Sequence, residues 1–268
     1  MLYETHMHTP LCRHAVGEPE EYAAVARQVG LVGITVTCHN PLPNRIARHI
    51  RMDESQFPEY LELVERARRK LAGKVDVRLG LEADYLPGLE EYLRAQLASA
   101  PFDYVLGSVH PHMAEYQKLY FRGSVSGFQC TYFEHLADAA ETRLFDCLAH
   151  PDIVKIQHPD QWDFATIQPA VETALDRIAA TGVAMELNTS GAYKTLPEFN
   201  PGSDMLSLML ERNIPVVIGA DAHLPARTGD LFSVALEMLA HIGFQTVSYF
   251  IARQRIDVSI KSARRRIA

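Results

Sequence analysis

The stretch PVVIGADAH, residues 215–223, decides how this chain is read. Val216 to Gly219 form a short apolar run, rich in β-branched residues and without polar alternation, as expected of a strand buried on both faces in a parallel sheet. The run then ends in Asp221 and His223, two residues apart, which on an extended backbone share one face. The pattern therefore joins a buried strand to a polar, ligand-like terminus.

The same pattern repeats outward along the chain. Comparable runs occur at about 2–7, 33–38, 76–82, 103–109, 145–149 and 183–187, making seven strands with 215–220. Helical periodicity fills the intervals near 19–29, 57–72, 88–99, 131–142, 166–181, 203–213 and 229–242. Punctuation agrees: Gly30 and Gly182 follow helices, Asp53 and Ser55 precede one, and Gly202 with Ser203 begins another. Strict alternation predicts an α/β fold with a parallel sheet and helices outside it. No linker or low-complexity segment divides the chain, so residues 1–255 read as one domain. Residues 256–268, with the KSARRR run, read as a solvated, flexible tail.

Composition narrows the function classes. A chain of 268 residues, 47% hydrophobic, can bury an ordinary core. A formal net charge of −7 and a pI near 5.9 argue against nucleic acid or a membrane surface as partner. No apolar run approaches the ~20 residues that span a bilayer, and the chain opens on a strand, so a cytoplasmic protein is expected. Cys12, Cys38, Cys130 and Cys147 form no CxxC pair and read as reduced core or near-site thiols.

The informative feature is how the strands end. The first ends in His6 and His8 (LYETHMHTP), the second in Cys38 and His39, the third in Glu82, and the fourth in His110. The fifth ends in His150, the sixth in Glu186 and Asn188, and the seventh in Asp221 and His223. In a parallel βα barrel these ends lie on one face, where active sites sit. One such histidine alone is ordinarily a core or surface residue; the recurrence at strand after strand is what points to a site. With His14 from the loop after the first strand, the seven imidazoles of His6, His8, His14, His39, His110, His150 and His223 and the carboxylates of Glu82 and Asp221 make nine candidate metal ligands. Imidazoles and carboxylates without a thiolate set suit Zn²⁺, Fe²⁺ or Mn²⁺ in an open site, and nine donors exceed the needs of one ion. Two or three divalent ions leave an excess of positive charge that a phosphate dianion offsets better than a neutral amide. Metal-activated water then serves as nucleophile, so no serine or cysteine is required.

The ordered set of HxH (His6, His8), His14, His39, Glu82, SVH (108–110), AHPD (149–152), ELNTSG (186–191) and GADAH (219–223) resembles the polymerase and histidinol phosphatase (PHP) family. The resemblance implies a distorted (β/α)7 barrel of PHP type, with the metal site at the C-terminal ends of its strands. It implies three divalent ions held by His6, His8, Glu82 and Asp221; by Glu82, His110 and His150; and by His14, His39 and His223. A hydroxide bridging the metals is then expected to attack a phosphomonoester, with Glu82, Asp221 and His223 in catalytic positions and L-histidinol phosphate as the expected substrate. The nearest matches to the family's phosphate-binding positions are Lys155, Asn188, Lys194 and Arg227. Arg13, Arg45, Arg48 and Arg122 read as solvated loop residues, and His112 as a surface histidine. The segment 111–133 departs most from the family pattern, and its aromatics read as loop packing. Hydrolysis of a nucleotide or nucleic-acid end, an amidohydrolase-type deamination and a non-catalytic metal-binding role stand as alternatives. The sequence leaves the oligomeric state open.

Overall fold

The computed structural model describes residues 1–267. Among them nine strands form one sheet in sequence order: β1 (Tyr3–Glu4), β2 (Gly33–Val36), β3 (Asp76–Asp84), β4 (Tyr104–Ser108), β5 (Cys147–Leu148), β6 (Ala184–Asn188), β7 (Val216–Gly219), β8 (Thr246–Ile251) and β9 (Gln254–Ser259). Every neighbouring pair from β1 to β8 is parallel, and β8 and β9 form an antiparallel hairpin. The α/β reading holds, with two corrections.

The sheet does not close as a continuous ladder. The first and seventh strands meet only beyond their ends, at one parallel bridge between Met7 and Ala222, where His8 N donates to Ala222 O and Ala222 N to His6 O. Below this bridge β8 pairs with β7 through Val217 and Ser248, and its Tyr249 ring lies 4.9 Å from Tyr3 of β1. The extra strand thus splays the lower part of the ring while the upper rim draws together. The second correction concerns residues 256–268: most of this segment forms the end of β9 and a short helix that buries Ile260 and Ala263, while Lys261, Arg264, Arg265 and Arg266 are exposed as the charge run suggests.

The helices are α1 (Pro19–Gln28), α2 (Phe57–Leu71), α3 (Glu90–Leu97), α4 (Ala114–Tyr120), α5 (Val125–Glu141), α6 (Phe164–Thr181), α7 (Ser203–Glu211), α8 (Phe232–Ile242) and α9 (Ile260–Arg264). Their ends follow local chemistry. Glu18 and Glu21 form a capping box around Pro19 of α1, and Gly182 ends α6 with φ 78°, a left-handed turn that glycine adopts without steric cost. The segment 111–133 is mostly helical: α4 precedes α5, which starts at Val125, where Ser124 accepts from Gly127 N.

Side-chain parity sorts the core and places the site. Leu79, Leu81, Val105, Met185, Leu187, Val216 and Ile218 belong to the large cluster beneath the helices. Alternate positions, including Tyr104, Leu106, Ala184 and Val217, form a separate small cluster with Cys147, Ala149 and Phe250. Because side chains alternate along a strand, Glu82, Asp84, His110, Glu186, Asn188 and Asp221 share the face of this inner cluster and continue it toward the C-terminal rim. No helix among the described residues is long and apolar enough to cross a membrane.

Candidate active site

The strand ends converge on Glu82, whose side chain is buried at the centre of a ring of imidazoles. Its Oε2 lies 2.6 Å from His39 Nδ1, 3.5 Å from His6 Nε2 and 3.7 Å from His8 Nε2. Its Oε1 lies 3.3 Å from His110 Nε2 and 3.2 Å from His150 Nε2. Asp221 Oδ1 extends the group, 3.1 Å from His8 Nε2, 3.6 Å from His6 Nε2 and 3.4 Å from His223 Nδ1. His14, exposed at the rim, closes it: its ring centroid is 4.5 Å from that of His223 and 5.4 Å from that of His39. All nine candidate ligands therefore lie in one contiguous cluster, and seven of them line a cleft of about 380 Å³.

The donor set carries the marks of a cation site. His6 Nε2, His8 Nδ1, His150 Nδ1 and His223 Nε2 are buried without a hydrogen-bond partner. Leaving so many polar atoms unpartnered costs about 1–3 kcal/mol each, and a bound ion removes that penalty. Burial disfavours charge on Glu82, but His39, His6 and His110 outweigh it and hold the carboxyl well below the usual range. Asp221 behaves likewise, burial being overcome by His6, His8 and His223. Both carboxylates are thus available as anionic ligands. The residues fit divalent ions.

A second set of side chains aims the first. Glu186 Oε1 lies 2.7 Å from His6 Nδ1, while its Oε2 accepts from His150 N at 2.9 Å and from Asn188 Nδ2 at 3.0 Å. Gly219 makes room for this carboxylate, since a Cβ there would meet Glu186 Oε1 at 2.1 Å. Asp84 pairs with His110 Nδ1 and is gripped by Arg51 through Nε at 2.5 Å and Nη2 at 3.0 Å. Such carboxylates fix the ring orientation and tautomer of a metal-binding histidine. His150 (φ 26°) and Asp221 (φ 50°) sit in left-handed backbone conformations, a strain of about 1–3 kcal/mol each that surrounding contacts must overcome.

The expected phosphate-binding positions divide. Lys194 lines the cleft. Lys155 does not: it is buried, and its ammonium donates to Asp152 at 2.9 Å, Glu198 at 2.8 Å and Phe199 O at 2.9 Å, which uses its three protons. Asn188 is buried and turned to Glu186 and Ser190. Arg227 stacks over Tyr193 at 3.6 Å and pairs with Asp230 at 2.7 Å. The cation that lines the cleft beside Lys194 is Arg51, which the sequence reading passed over along with Asp84 and the part played by Glu186. Arg13 and Arg48 pair with Asp53 outside the cluster, and His112 faces the cleft with its ring 5.0 Å from His110.

Compared with known families, residues 4–190 match the PHP domain. The chain belongs to the PHP domain family. A Deinococcus radiodurans protein named "Probable histidinol-phosphatase" is 37% identical over 255 residues, covering 92% of this chain and 96% of the relative. The histidinol-phosphatase of Bacillus subtilis is 24% identical over 264 residues, covering 87% of this chain and 97% of that protein. The crystal structure of the Lactococcus lactis histidinol phosphate phosphatase, complexed with zinc, L-histidinol and phosphate, aligns with a TM-score of 0.79 at 20% identity, covering 95% of this chain and 98% of that one. The fold of this PHP protein is that of the histidinol phosphatase structures.

Proposed function

We propose that this PHP protein is a metal-dependent phosphomonoesterase that hydrolyses L-histidinol phosphate to L-histidinol and phosphate. The observation that carries this reading is Glu82, a buried carboxylate reaching His6, His8 and His39 with one oxygen and His110 and His150 with the other. The names of the full-length relatives support the choice of substrate.

In this reading three divalent ions, drawn from zinc, iron and manganese, are held by His6, His8, Glu82 and Asp221; by Glu82, His110 and His150; and by His14, His39 and His223. Such ions, when bound, lower the pKa of water toward ~7 and offset charge on the phosphoryl oxygens. The chain does the rest. Glu82, Asp221 and His223 bound the floor of the cleft where the phosphoryl group must sit. Lys194 supplies its free positive charge, while Arg51, paired with buried Asp84, lines the same wall. Asp84 and Arg51 together fix the orientation of His110 at the wall of the cleft. Ile50, Ile153 and His112 line the same cleft and offer a partly apolar wall to an imidazole. A place in the cytoplasm belongs to the same reading and is supported by four unpaired cysteines.

The test is phosphate release from histidinol phosphate, sugar and aryl phosphates, nucleotides and single-stranded DNA, with bound metals counted by elemental analysis. Preference for histidinol phosphate with about three metals per chain is expected. Preference for another ester would overturn the substrate, and metal-free activity would overturn the mechanism.

A further inference from the structure

We infer that the protein carries a second, soft-metal site behind the cleft, formed by Cys12, Cys38 and His8, which takes a thiophilic d¹⁰ cation such as Cd²⁺ or Zn²⁺. One ligand atom from each of the three residues lies within 4.8 Å of the others, and all three side chains are fully buried. The topology explains why they meet. Cys38 follows β2 and Cys12 lies in the turn after β1, so both flank the strand extension that carries His8.

His8 is the observation that turns two core thiols into a site. Its Nε2 faces Asp221 at 3.1 Å, inside the cluster already described. Its Nδ1 is buried with no hydrogen-bond partner, and the Cys38 thiol lies against the same ring. The sulfurs are also surrounded by donors. Thr9 Oγ1 donates to Cys38 Sγ at 3.1 Å, and the backbone N–H groups of His14 and Ala15 face Cys12 Sγ. Two thiolates and one imidazole select soft or borderline cations over Mg²⁺ or Ca²⁺ and leave a fourth position to a non-protein ligand. Binding M²⁺ forms two metal–sulfur bonds and releases two thiol protons to solvent.

The site shares His8 with the phosphatase cluster, so an ion there competes for a ligand of that cluster. The inference goes beyond the phosphatase reading and stands without it, because its readout is sulfur–metal absorption. CdCl₂ is titrated into the protein as purified, while the ultraviolet thiolate-to-cadmium charge-transfer band is followed. We expect the band to saturate at one equivalent, to persist in the Cys130→Ser/Cys147→Ser variant, and to vanish in Cys12→Ser and in Cys38→Ser. No band in the unaltered protein, or a band that survives in both single variants, would overturn the site. Should a variant fail to fold by circular dichroism, cadmium NMR of the unaltered protein decides instead. A resonance in the region of mixed sulfur and nitrogen ligands supports the site, and one in the nitrogen and oxygen region alone refutes it.

Discussion

Exchanging Glu82 for glutamine keeps the side chain's size and removes one negative charge from the point where five imidazoles meet. Neither oxygen is spare, with Oε2 2.6 Å from His39 and Oε1 3.2 Å from His150. An interaction with a charged group contributes about 1.5–3 kcal/mol, so two oxygens together give about 3–6 kcal/mol. At about 1.4 kcal/mol per decade, that is a loss of ~10²–10⁴ in kcat/KM. The amide cannot escape the conflict by rotating. Its NH₂ group faces either the His6, His8 and His39 side or the His110 and His150 side, and each is where a cation is proposed. The assay is kcat/KM for histidinol phosphate, with metal content by elemental analysis and circular dichroism as the control for folding. Glu82→Gln should lose at least about 100-fold in activity together with bound metal, at unchanged secondary structure. A variant that keeps its full metal content and falls by less than about tenfold would refute the bridging position of Glu82.

Three further outcomes are expected. Lys194→Ala should raise KM and lower kcat/KM by about 10–100-fold, the worth of one charged contact, at unchanged metal content; a loss of metal would show that the lysine holds the fold of the site instead. Lys155→Met should destabilise the protein by about 3–5 kcal/mol in urea unfolding, because Asp152 is left as an unpaired buried carboxylate, and inhibition by inorganic phosphate should not change; the reverse pattern would restore Lys155 as a phosphate anchor. Stripping metals with a chelator should lower Tm by about 5–10 °C, since an ion present at about 100 times its Kd adds ~2.7 kcal/mol and each kcal/mol is worth ~2–4 °C in a chain of this size; an unchanged Tm would mean that metal contributes nothing to folding.

The strands that carry the cluster were legible because their signal is local. A both-face-buried strand is a continuous apolar run, and side-chain alternation then dictates that residues such as Glu82 and Asp221 face inward once the sheet curls. The helix ends at Gly30 and Gly182 were legible for the same reason. What escaped depends on distant partners. Lys155 stands at a suggestive spacing from His150, but its direction is set by Glu198 and Phe199, 43 and 44 residues further on. Arg51 and Asp84 form an ion pair across 33 residues, with Arg51 in a loop that has no periodicity to mark it. The hairpin of β8 and β9 ends in no ligand-like residue, so the rule that found the other strands passed over it. The 256–268 segment looked solvated because its charges are conspicuous in sequence, while the apolar contacts of Ile260 and Ala263 appear only in three dimensions.

The seam between the first and seventh strands also sets a timetable for synthesis. His8 and Asp221 are 213 residues apart, and among the described residues the parallel bridge from Met7 to Ala222 joins those two strands, flanked by the Thr5 hydroxyl on Ile218 O and by Ala220 N on the Glu4 carboxylate. On a ribosome adding ~5–20 residues per second, the seventh-strand partners of the first strand emerge ~10–40 s after it. During that interval His6 and His8 lack Asp221, and the earlier strands present a half-built ring with one unpaired edge. In the proposed reading, metal loading would be a late event in the life of each new chain, and a nascent chain that captured an ion early would hold it with the wrong companions.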